Sequence, residues 1–205
     1  MTIRELLLFL KEQSSFEETD SCRDEIAALL PGVEVMFDYD QQNTAHQYDL
    51  WEHCVRTMLN LPKEIDDDML YLAAVLHDIG KPESRCAGTR KDDTNMHYYG
   101  HPRKSMEIVR DKIIPGIGKD LTEDEKRRLL YYVEFHDDRM SLRLKHLRRH
   151  MQMASIKEFQ NLMRLQVADA KAHVMLPIIE QRIEICSQWA GEYGLEMYHN
   201  ILAGE

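Results

Sequence analysis

His77 and Asp78 stand side by side at the end of an apolar stretch, Leu70 to Leu76. Imidazole and carboxylate are both ligands for divalent metal ions. Leu70, Ala73, Ala74 and His77 keep the i, i+3, i+4, i+7 spacing of one helix face. Gly80 and Pro82 then stop the helix. Neighbouring helical residues point about 100° apart, so the pair converges on one ion most easily where other helices bring ligands from the side. The same two side chain types also satisfy helix ends or pair at a surface. The partners decide between the readings.

Such partners recur along the chain. His46 to about Leu61 reads as a helix stopped by Pro62, with His46, Leu50, His53 and Thr57 on one face. His101 precedes Pro102, which suits the first turn of a helix, and aligns with Ser105 and Ile108. Thr122 and Glu125 form a capping-box pattern for a helix whose Leu129, Tyr132, Val133 and His136 face inward. Over residues 155–171, Ile156, Phe159, Leu162, Met163, Gln166 and Asp169 share a face. A buried carboxylate without a partner is costly, and a metal ion would be one. Each histidine alone is also readable as a core residue with satisfied nitrogens. Four of them on helix faces make coincidence the poorer account.

The positioning elements are helical throughout. Residues 2–13 and about 20–30 read as short helices, ended at Ser14-Ser15 and at Pro31-Gly32, and Val33 to Asp40 as an irregular connection. Asp66 to Asp68 place three acids at the start of the His77 helix, where its dipole favours them. Glu83 to Met96, with Arg85, Gly88, Arg90 and Lys91, reads as a polar loop, solvated or touching substrate. Arg139 to His150 is strongly basic and reads as a solvated helix face, with phosphate or RNA binding as the alternative. A last helix over about 177–195 looks purely structural. The expected fold is all-α, a single helical bundle over residues 41–205 with a helical extension, residues 1–40, packed on it.

Composition removes several classes. A net charge of -10 over 205 residues disfavours a protein that wraps a phosphate backbone. Cys22, Cys54, Cys86 and Cys186 form no C-x-x-C pair and read as free thiols of a reducing cytosol. No run of about 18 apolar residues predicts a membrane span. Phosphate-binding glycine loops and G-x-S-x-G are absent.

The order His53, His77-Asp78, His101, His136, Asp169 resembles the HD superfamily of metal-dependent phosphohydrolases. In that pattern His53, His77, Asp78 and Asp169 match the ligands of one ion, and His101 and His136 are similar to the extra histidines of two-metal members. Some two-metal relatives carry a His-His pair where this chain has His136-Asp137. Gln42-Asn-x-x-His46-x-Tyr-Asp-Leu-Trp-Glu-His53 and Ala168-Asp169-Ala170-x-Ala-His173 look like the HD domains of CCA-adding tRNA nucleotidyltransferases. No recognisable nucleotidyltransferase region precedes them, so transferase activity is not expected.

The resemblance implies a cytoplasmic phosphohydrolase acting on a small phosphorylated or nucleotide-like substrate. One or two divalent ions would serve it, with manganese, iron, nickel, cobalt, zinc and magnesium undistinguished. Such ions acidify water and stabilise charge on phosphoryl oxygens. Asp78 is the candidate shared ligand and, with Lys81, the candidate catalytic group. Lys81, Arg103, Lys104 and His46 are candidates for holding substrate. The rival readings are a metal-stabilised module that binds nucleotide or RNA ends without turnover, and a two-iron oxygenase on the same scaffold.

Overall fold

The computed structural model describes residues 1–90 and 92–204; Lys91, part of the polar loop, lies outside them. The architecture is mostly helical. At its centre is α5 (Asp68–Leu76), in which every residue from Met69 to Leu76 is buried. An unbroken apolar run permits this, because a helix without a polar face has to be surrounded. Its neighbours are α1 (Ile3–Glu12), α4 (Leu50–Leu59), α9 (Glu123–Phe135) and α11 (Ile156–Lys171).

The ends of these helices are set by side chains. Thr2 with Glu5, Thr122 with Glu125 and Ser155 with Glu158 form complete capping boxes for α1, α9 and α11. Asp67 spends its carboxylate elsewhere: it accepts a 2.7 Å hydrogen bond from the Tyr132 hydroxyl and fastens the start of α5 to α9.

Several expected boundaries move. The helix expected from His46 starts at Leu50, because Asp49 caps it by accepting from the Glu52 amide at 2.8 Å. His46 therefore does not share a helix face with His53. It lies in the preceding segment and bridges His173 in an antiparallel pair. The helix expected over about 20–30 is α3 (Arg23–Leu29), preceded by a short helix that was not expected, α2 (Phe16–Asp20), and followed by a 3-10 turn at Val33–Met36.

The polar loop after the His77 helix opens with a single turn, α6 (Lys81–Ser84), and carries a short antiparallel pair, β1 (Cys86–Ala87) with β2 (Met96–His97). α7 (His101–Ile108) then runs through a π turn at Val109–Ile113 into α8 (Ile114–Ile117). The basic segment forms α10 (Leu144–His150). The last expected helix is two, α12 (Pro177–Ala190) and α13 (Glu192–Ala203), broken at Gly191. Among the described residues no helix is long and apolar enough to cross a membrane.

Candidate metal centre

The C-terminal ends of α5 and α9 and the start of α7 meet at one point, with α4 and α11 beside them. Gly80 makes the approach of α7 possible. A Cβ there would collide with the Ser105 amide nitrogen and lie 2.8 Å from the His101 carbonyl oxygen. In place of that Cβ, the Gly80 amide donates to Ser105 Oγ at 2.9 Å. The chain thus turns from α5 directly onto the backbone of α7 and sets Asp78 against His101.

Two groups of donor atoms result. His53 Nε2 lies 3.1 Å from Asp169 Oδ1 and 3.5 Å from Asp78 Oδ2, while His77 Nε2 lies 3.3 Å from Asp78 Oδ2 and 3.7 Å from Asp169 Oδ1. On the other side of the same carboxylate, Asp78 Oδ1 is 3.0 Å from His101 Nε2 and 3.3 Å from His136 Nε2. The two histidine nitrogens are 3.2 Å apart. All six candidate ligands are brought together, and Asp78 divides its oxygens between the groups.

The imidazoles are oriented in the same way. Nδ1 of His77, His101 and His136 lies 2.8 Å from the backbone carbonyl three residues earlier, of Ala74, Tyr98 and Val133. A carbonyl can only accept, so each Nδ1 carries the hydrogen, and in the neutral ring that a metal binds Nε2 is left with the inward lone pair. His53 Nε2, His77 Nε2 and Asp78 Oδ1 are buried with no hydrogen-bond partner. Unpaired buried polar atoms are expensive, and a divalent cation would satisfy all three. Electrostatics agree. Burial pushes Asp78 up, but His77, Lys81 and His101 outweigh it and hold the carboxyl well below its usual range. Asp169 is likewise held down against burial, by His173, His53 and His77. Burial lowers His53 to about 4, whereas His77 is raised despite burial, chiefly by Asp78. Two buried carboxylates are drawing positive charge into the site, and the donor set fits a divalent ion.

Lys81 is buried and places Nζ 2.7 Å from Asp78 Oδ2, 2.8 Å from Gln41 Oε1 and 3.4 Å from His46 Nε2. His46 reaches the site from its loop, its ring 5.2 Å from that of His53 and 4.4 Å from that of His173. Arg103 and Lys104, expected as substrate contacts, have their charged ends in ion pairs outside the cleft. Arg103 is half a helical turn round from His101 and pairs with Glu107; Lys104 pairs with Glu107 and Glu83. Neither lines the open cleft of about 280 Å³ over the donor groups, whose walls include Asn43, Tyr98, Tyr99, Arg139 and His173.

The sequence reading missed Gln41 and Arg182. Arg182, on the helix read as structural, donates to the His136 carbonyl at 2.8 Å, and its guanidinium lies 3.1 Å from Asp137 Oδ1 and 3.5 Å from Asp169 Oδ2. A signal existed: Arg182 shares its face with Ile178, Ile179, Cys186 and Trp189, and an arginine on an apolar face calls for a carboxylate. Gln41, in an irregular segment, offered none.

The sequence model of one family, described as the HD domain, matches residues 45–183. No curated protein matches the chain.

Proposed function

The chain belongs to the HD-domain family, and from that premise we propose that it is a metal-dependent phosphohydrolase cleaving a phosphomonoester or phosphodiester of a nucleotide-like substrate. The division of Asp78 between two donor groups carries this reading. His53, His77, Asp78 and Asp169 would hold one divalent ion, and Asp78, His101 and His136 a second. Such ions, when bound, acidify water and stabilise charge developing on phosphoryl oxygens.

The chain's own groups do the remainder. Lys81 has three ammonium hydrogens; Asp78 and Gln41 take two, and the third faces His46 at 3.4 Å, beyond good hydrogen-bond length. A phosphoryl oxygen in the cleft can replace that weak contact, so Lys81 offers a preset donor to developing negative charge. Gln41 orients Lys81. His46 and Arg139, both on the cleft wall, hold the substrate. Arg182 keeps Asp169 turned so that Oδ1 faces the histidines.

The likeness of residues 42–53 and 168–173 to HD domains of CCA-adding enzymes directs the assay toward nucleotides and RNA ends. Metal-loaded protein is tested on p-nitrophenyl phosphate, its bis-ester, nucleoside monophosphates and short RNAs. Turnover is expected, falling by about 10²–10³ in Lys81→Met, as when one charge-stabilising donor is removed. A folded, metal-loaded chain that binds nucleotides and hydrolyses none of these contradicts the proposal in favour of a binding module. Oxygen consumption by a two-iron form would favour an oxygenase.

A further inference from the structure

A second cavity, of about 430 Å³, opens beside the metal cleft between residues 137–140 and residues 178–186 of α12. Half of its lining is apolar, Met140, Ile178, Ile179, Ile185 and Cys186, and Asp138 and Gln181 add polar groups. Asp137, Arg139 and Arg182 line both spaces. Arg182 is the partition, held by the His136 carbonyl and by Asp137 and Asp169. Arg139 stands exposed at the junction with no carboxylate partner among the described residues.

We propose that this cavity is a subsite for the organic part of the substrate, a flat and mainly apolar ring carried on a phosphate that itself lies in the metal cleft. The inference rests on the phosphohydrolase reading and adds to it which surface selects the substrate. The apolar half of the lining favours a ring that leaves water, and Asp137 and Asp138 on the same wall oppose a second anion. The anion belongs on the cleft side, where Lys81 and Arg139 are placed. The two spaces share three residues and so adjoin, and the proposed substrate lies across both. The rival surface is Tyr99, stacked on His97 at 5.3 Å and 8° but 68% exposed. A ring laid on it would keep one face in water.

Calorimetry with metal-loaded protein, using phenylphosphonate and methylphosphonate as non-hydrolysable probes, tests this. Phenylphosphonate is expected to bind at least tenfold more tightly. Ile179→Trp, which fills the cavity, should abolish that preference and leave methylphosphonate affinity unchanged. Ile178→Asn, at a 66% exposed position that tolerates a polar residue, should reduce it, with circular dichroism confirming the fold of both variants. A preference that survives both substitutions, or that is lost only in Tyr99→Ala, overturns the subsite while leaving the phosphohydrolase reading intact. Equal binding of the two probes does the same. Failure of both probes to bind overturns the phosphoester reading and the subsite with it.

Discussion

Asp78 is the residue on which the two donor groups depend, and its neighbours differ in what they govern. Arg182 touches neither histidine nitrogen, yet it fixes the outer oxygen of Asp169 and the carbonyl of His136. Partners behind metal ligands typically change affinity by about 10–100-fold. Arg182→Gln is therefore expected to weaken metal binding by about that factor while the far-ultraviolet circular dichroism stays unchanged. Competition with a metallochromic chelator measures it, and unchanged affinity would leave Arg182 a packing residue. His77 and His136 were legible in sequence because they end apolar stripes, and His53 and His101 because they align with apolar neighbours on one helix face. Arg182 was overlooked because the isoleucines around it account for the helix on their own. How Asp78 divides its oxygens could not be read from sequence, since it depends on where α7 and α9 end in space.

Among the elements, the α5 to α7 connection does the positioning. Gly80 has no room for a Cβ against the backbone of Ser105 and His101, and overpacking of this kind costs about 1–3 kcal/mol. Gly80→Ala is expected to move α7 outward, carrying His101 from Asp78 Oδ1. The variant should lose its second ion before its first and unfold at lower denaturant concentration. Retention of both ions at full affinity would show that α7 is not held by this contact. The short loop elements are where sequence reasoning fell short. Asp49 capped α4 three residues after His46, and the His46 to His173 bridge was invisible because it joins segments far apart in the chain. His46 reached the site by a route that periodicity cannot reveal.

At the scale of the molecule, one buried apolar cluster runs from Ile3, Leu6 and Leu10 through α5 to Trp189. We propose that residues 1–40 act as an extension clamped onto the 41–205 domain. Arg4 contributes to the clamp: it donates to Glu125 at 2.6 and 3.0 Å and to the Asp120 carbonyl at 2.7 Å, tying α1 to the start of α9. The Arg4 guanidinium, with the Thr122 amide, holds the Glu125 carboxyl down from 4.5 to about 2. A lowered carboxyl stabilises the fold above its unfolded value and loses that stabilisation as pH falls toward its folded value. The pair is half open to water on the Arg4 side, so its worth is about 1 kcal/mol. Glu125→Gln should be less stable than wild type by about that amount at pH 7, with the difference vanishing near pH 2. Urea titrations across that range check it.

The most direct test of the central claim is the metal content of the purified, metal-saturated chain by mass spectrometry, in wild type and in His136→Ala and Asp78→Ala. Two ions per chain in wild type, one in His136→Ala and fewer than one in Asp78→Ala are predicted. A single ion in wild type that His136→Ala leaves in place, or two ions retained without Asp78, would contradict a paired centre built on a shared carboxylate.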